Sequence, residues 1–108
     1  MGEAWLVRLR YTLRGAAELD EILTYIEQRS PQGARHVQAR IQAIINLLLR
    51  YPHAGRPTST GRLRRVAASP YTYFIFYEAA DDEIIIHAIR HASRKPTPMP
   101  SSGERESP

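Results

Sequence analysis

The stretch SPQGARHVQARIQAIINLLLRYP, residues 30–52, restricts the folding options of this chain more than any other. Both ends are punctuated. Ser30 can cap a helix and Pro31 suits the first helical position, while Tyr51-Pro52 closes the run with Gly55 and Pro57 beyond it. Between these marks Ala34, Val37, Ile41, Ile44 and Leu48 recur at spacings of three and four, which is one face of a helix. A helix with one apolar stripe must bury it against another element, so the rest of the chain has to supply a second layer.

Upstream, the 5–13 segment WLVRLRYTL is rich in strand formers and predicts a first strand. Gly15 then precedes AAELDEILTYIEQRS, where Ala16, Leu19, Ile22, Leu23 and Ile26 predict a first helix. Glu18, Asp20 and Glu21 are expected in its first turns, facing the positive end of the helix dipole. With only a short loop before Ser30, the two helices make an antiparallel hairpin. After Gly61 the period changes. LRRVAAS, YTYFIFYE and EIIIHAIRHA predict three antiparallel strands, turned at Ser69-Pro70 and at Ala80-Asp81-Asp82. The strand over 83–91 is apolar on both faces for most of its length and belongs in the middle of the sheet. The fold class is α+β: an N-terminal strand, a helical hairpin, then three strands in one small sheet. The folded domain is expected over 1–94, followed over 95–108 by a disordered tail with four prolines and three serines.

Charge is distributed unevenly. Eight arginines lie between Arg29 and Arg65, and no acid occurs between Gln28 and Tyr77. Such a field favours an acidic partner, either nucleic acid or protein. Cysteine is absent, which removes disulfides, thiolate metal sites and cysteine nucleophiles. No apolar run approaches the eighteen residues of a membrane span, and the N-terminus lacks the order of a secretory signal, so a cytoplasmic protein is expected.

Several constellations dissolve on inspection. His87 and His91 show HxxxH spacing but fall in a strand, where four residues span about 13 Å, too far to share a metal. The Asp81-Asp82-Glu83 run reads as a solvated turn. Tyr71, Tyr73, Ile75 and Tyr77 alternate onto one face of their strand, and Thr72, Phe74 and Phe76 onto the other, so the aromatics are chiefly core. Arg64 and Arg65 must point to opposite faces.

The segments AELDEILTYI, ARHVQARIQAIINLL, YPHAGRP, LRRVAASPYTYFIFYE and IIIHAIRHASR occur in an order that resembles the RelE/ParE superfamily of bacterial toxins, over residues 8 to 95. The resemblance implies the toxin half of a type II toxin–antitoxin pair, with no cofactor and no metal. RelE-like members cut mRNA in the ribosome with basic residues and often a late tyrosine; ParE-like members poison DNA gyrase. In this chain Phe74 stands where an arginine commonly follows the first tyrosine of the strand, the first lysine is Lys95, and no tyrosine follows Tyr77. The ParE-like reading is therefore preferred, with no catalytic residues. It implies a target-binding set of Arg64, Arg65, His91 and Arg94, and an antitoxin-binding set of Arg35, Arg40 and Arg50 on the second helix. The antitoxin is expected to be small, with an acidic C-terminal segment, and to form a hetero-oligomer with the toxin. The alternatives are a ribosome-dependent mRNA endoribonuclease using Arg65, His91 and Arg94, or a non-toxic antitoxin-binding partner in an autoregulated complex.

Overall fold

The computed structural model describes residues 7–92. In it the chain runs β1 (Arg8–Tyr11), α1 (Leu13–Glu27), α2 (Pro31–Arg50), β2 (Arg56–Pro57), β3 (Arg64–Ala67), β4 (Tyr73–Ala79) and β5 (Glu83–His91). All five strands form one sheet in the order β1-β5-β4-β3-β2. The α+β class and the interior place of β5 agree with the sequence reading. Arg94, the tail expected at 95–108 and the start of the expected N-terminal strand lie outside the described residues. Among the described residues, no helix is long and apolar enough to cross a membrane.

β5 pairs antiparallel with β4 and parallel with β1. Parallel neighbours cannot be joined by a tight turn, and the connection between them carries both helices and strands β2 to β4. α2 follows its punctuation: Ser30 Oγ accepts from the Gly33 N–H at 2.9 Å, Pro31 opens the helix, and Ala34, Val37, Ile41, Ile44, Ile45 and Leu48 are buried. Those residues pack on Ile75, Tyr77, Ile84, Ile86 and Ile89 of the sheet, with Leu19, Ile22, Leu23 and Ile26 of α1 partly buried beside them.

α1 begins at Leu13, three residues earlier than the apolar spacing predicts, and the cause is Thr12. Its hydroxyl accepts from the Gly15 N–H at 3.0 Å, the standard way to satisfy a first-turn donor, and lies 3.3 Å from the Ile86 carbonyl. Gly15 is thus inside the first turn rather than ahead of the helix, and it is buried. A Cβ there would run into the Ile86 carbonyl, so glycine is required by closeness of approach. The earlier start moves Glu18, Asp20 and Glu21 out of the first turn, which holds no acid. Ala16 is exposed and drops out of the predicted stripe.

Strand β2 was not legible: a two-residue pairing of Arg56 with Arg65 and Pro57 with Arg64 makes the sheet five-stranded rather than four-stranded. Proline donates no hydrogen bond and is tolerated there because β2 is an edge. A register shift is the other departure. Phe76 faces Ala88 but Tyr77 faces Ile86, so His87 is the extra residue of a β-bulge. The bulge resets the alternation, so Ile84, Ile86 and Ile89 all join the helix-facing core while Ala88 joins Phe76, Leu63 and Phe74 in a second cluster.

Beyond Ile86, β5 has lost β1 as a neighbour, since the parallel register ends at Tyr11 opposite Ile86. The exposed edge is closed by a side chain: Glu18 Oε1 accepts from the Ile89 N–H at 2.9 Å, and its Oε2 pairs with Arg90 at 3.3 Å. Glu18→Ala should cost about 1–3 kcal/mol, because a partly buried amide loses its acceptor. Glu18→Gln keeps a carbonyl oxygen and should recover most of that loss. Urea denaturation of the two variants is the measurement; equal stability of Glu18→Ala and wild type would refute the role.

Candidate functional site

The sheet has one face under the helices and one open face. Residues of the second, smaller cluster lie on the open side, because they alternate with the helix-facing Ile75 and Tyr77. Around that cluster stand paired charges. Arg10 binds Glu83 through two hydrogen bonds, at 3.2 and 3.1 Å, which hold the Glu83 carboxyl below the ordinary carboxylate range. Glu78 is shared: Oε1 lies 3.1 Å from His87 Nε2 and Oε2 accepts from Arg62 at 3.2 Å. The side chains of Glu78 and His87 are each only 13% exposed, against 74% for Arg62, so the carboxylate links a sheltered imidazole to an exposed guanidinium.

The two predicted target arginines part company, as alternation requires. Arg65 lies over Phe74, its guanidinium carbon 4.4 Å from the ring centroid. This cation–π contact fixes a planar donor on the open face. Arg64 turns the other way and serves the loop after α2: its Nη1 donates to the carbonyls of Gly55 at 2.8 Å and His53 at 3.4 Å. His91 closes the far end of β5, with Nε2 2.8 Å from Thr72 Oγ1 and its ring edge-on to Tyr73 at 5.3 Å. Of the target set, Arg64, Arg65 and His91 lie on the sheet, Arg64 and Arg65 half-buried on opposite faces, and Arg94 is outside the described residues.

The antitoxin set also divides. Arg35 and Arg50 are exposed on α2, whereas Arg40 donates from Nε to the Ser69 carbonyl at 2.6 Å and ties the helix to the β3–β4 turn. Sequence reasoning missed the apolar footing on the same helix, where Leu47 is 44% and Tyr51 is 60% exposed, one turn apart. It missed the Glu78–His87 contact too. The observed turn is two residues, Asp81-Asp82, with Ala80 bonded to Glu83, which sets Glu78 opposite Ile85 and makes His87 its diagonal neighbour; the three-residue turn read from the sequence gives a register one residue off.

Tyr77 answers what the strand aromatics do. It is fully buried, its hydroxyl donating to the Pro52 carbonyl and accepting from the Gly55 N–H, both at 2.8 Å. Gly55 has to be glycine, since a Cβ would lie 2.7 Å from the Tyr77 ring and 2.9 Å from the Arg65 carbonyl. The phenol therefore clamps the loop that leads α2 into the sheet. Among the described residues, no group of three or more histidine, aspartate or glutamate side chains is placed to hold a metal ion.

Burial raises the Tyr77 and Tyr11 phenols above the ordinary tyrosine value. The folded state then holds these protons more tightly than the unfolded chain. Their stabilisation is complete below about pH 10 and is lost as pH rises through the raised folded values. Tyr77→Phe should cost about 1–3 kcal/mol at neutral pH, leaving the Gly55 N–H and the Pro52 carbonyl unpaired. It should also reduce, without abolishing, the fall in stability as pH rises above about 10, since Tyr11 remains. Denaturation curves across that range check both; an unchanged slope would remove Tyr77 from the alkaline transition.

Three comparisons bear on this architecture. The chain matches the family described as the ParE toxin of the type II toxin–antitoxin system parDE, over residues 9–96. It is similar to the putative toxin Y4kP of Sinorhizobium fredii, 36% identical over 88 residues that cover 82% of this chain and 91% of that one. It is equally similar to toxin RelE2 of Caulobacter vibrioides, 36% identical over 89 residues that cover 82% and 99%. A solved structure of the chromosomal ParDE TA system from P. aeruginosa shares the fold, with a TM-score of 0.70 at 22% identity over 83% of this chain and 100% of that chain.

Proposed function

This chain belongs to the ParE toxin family of type II toxin–antitoxin systems, and we propose that it arrests growth by poisoning DNA gyrase and is neutralised by a cognate antitoxin. The observation that carries the choice of gyrase over mRNA is how the proton-transfer groups are bonded. General acid–base cleavage of RNA needs groups free to reach the 2′-hydroxyl and the leaving oxygen. Here the His87 imidazole is bound to Glu78, His91 to Thr72, and the Tyr77 phenol is sealed in the loop clamp. The exposed groups that remain on the open face are guanidiniums, which stay protonated and bind rather than transfer protons.

Arg65 is the leading target-binding residue. Where the superfamily resemblance leads one to expect an arginine, the chain has Phe74, and the guanidinium of Arg65 from the neighbouring strand lies over that ring. A cation thus returns to the same position by another route. Purified protein should inhibit gyrase supercoiling and leave mRNA on translating ribosomes intact. Arg65→Ala should weaken the inhibition about tenfold or more, the loss expected for one well-placed charged contact. Ribosome-dependent cleavage that His91→Ala abolishes, with supercoiling untouched, would replace this reading with the endoribonuclease.

The antitoxin is proposed to lie along α2, where Arg35 and Arg50 offer charge and Leu47 and Tyr51 offer an apolar footing. An acidic segment that folds on binding is the partner such a surface suits. Rim charges act chiefly on association, so the association rate should fall as salt rises, and Arg35→Gln with Arg50→Gln should flatten that dependence. Stopped-flow mixing across salt concentrations reads it. Wild-type rates independent of salt would leave these arginines without a part in recognition.

A further inference from the structure

At the corner of the sheet lies a cleft of about 420 Å³, lined by His53, Pro57, Arg62, Leu63, Arg64 and the Ala79–Asp81 turn. It exists because β3 stops short. Its register with β4 ends at Arg64 opposite Tyr77, and the chain before it is folded on itself, Leu63 N–H donating to the Thr60 carbonyl and Thr58 N–H to the Leu63 carbonyl. The edge of β4 at Ala79 therefore faces the cleft instead of a strand. Leu63, 1% exposed, closes the floor.

The two arginines at this cleft are each held from one end. Among the described residues, Arg64 bonds through Nη1 alone, to the Gly55 and His53 carbonyls, and Arg62 through Nη1 alone, to Glu78. In each guanidinium this leaves Nε and Nη2, the side-on edge that matches two oxygens of a phosphate or carboxylate. Fixing one nitrogen reduces the freedom that a ligand would otherwise have to remove. The lining carries two guanidiniums and one carboxylate, the exposed Asp81, and Glu78 takes only one nitrogen of Arg62, so what an anion would meet here is the unused guanidinium edges rather than a net charge. The cleft volume exceeds what a bare phosphate needs and falls within the range of small-ligand pockets.

We infer that the His53–Arg62–Arg64 cleft is a binding site for a phosphate monoester, its anionic head on the two guanidiniums and its organic part against Pro57, Leu63 and Ala79–Ala80. The site is separate from the Arg65–Phe74 surface, so it stands or falls independently of the gyrase reading. Uniformly nitrogen-labelled protein titrated at constant ionic strength with inorganic phosphate, 5′-AMP and adenosine tests it by amide shifts. Saturable binding of 5′-AMP should move Gly61, Arg62, Leu63 and Ala79 to Asp81, with adenosine much weaker. Tighter binding of 5′-AMP than of phosphate supports the monoester site, and equal binding of the two would overturn it in favour of a site for the bare anion. Arg62→Gln, an exposed position that leaves the fold intact, should weaken binding about tenfold. Arg29→Gln, which removes the same charge at the end of α1, should leave it unchanged. Shifts that do not saturate, adenosine binding as tightly as 5′-AMP, or equal affinity in the Arg62→Gln and Arg29→Gln proteins would overturn the proposal.

Discussion

The amide of Ile89 is the point on which this architecture turns. It belongs to a central strand, yet the strand that should pair with it has already ended at Tyr11. A sheltered N–H without a partner costs as much as several favourable contacts return, so something must accept from it. Helix α1 does so through Glu18, and reaching that position dictates how the helix enters. Thr12 binds β5 with its backbone and hydroxyl, Gly15 lets the first turn approach the Ile86 carbonyl, and Glu18 arrives one turn later at Ile89. The close approach of helix to sheet is thus set by polar groups, and the stripe of Leu19, Ile22, Leu23 and Ile26 packs on the frame they define.

A second polar clamp joins the other helix to the sheet. Tyr77 and Arg64, opposite each other in the β3–β4 register, both bond to the loop over 51–55. They stand on the helix-facing side, and Arg65 and Phe74 on the open side. The run of arginines and aromatics over 63–78 therefore contains two systems interleaved residue by residue. One ties the loop after α2 to the sheet and the other lies on the open face.

Much of this was legible, and the parts that were not share a cause. α2 could be read because its caps and its apolar period are local. The interior place of β5 could be read from the loss of alternation over 83–91, but its parallel pairing with β1 could not. The start of α1 was misplaced because Gly15 looks like a breaker in sequence, while its reason is the distance to Ile86, far along the chain. β2 is two residues long and carries no period at all. The bulge at His87 leaves no mark on composition, and it changes which residues of β5 face the helices. Among the site residues, alternation separated Arg64 from Arg65 correctly, but what Arg64 binds depends on the loop after α2. Arg40 was grouped with Arg35 and Arg50 as a surface cation, and its bond to Ser69 depends on a turn 29 residues away.

The bulge also bears on what the open face can do. In an unbroken strand, residues four apart share a face, and His87 and His91 would have stood in line on one side. The extra residue breaks that phase between them. His87 stays beside Glu78 on the face of the small cluster, and His91 lies opposite Tyr73, whose ring packs with the helix-facing core. Two imidazoles that cannot address one phosphate from the same side make a poor acid–base pair, however suitable each is alone. On the open face the half-buried Arg65 is held over Phe74, and a cation fixed in this way acts through complementarity of charge and shape.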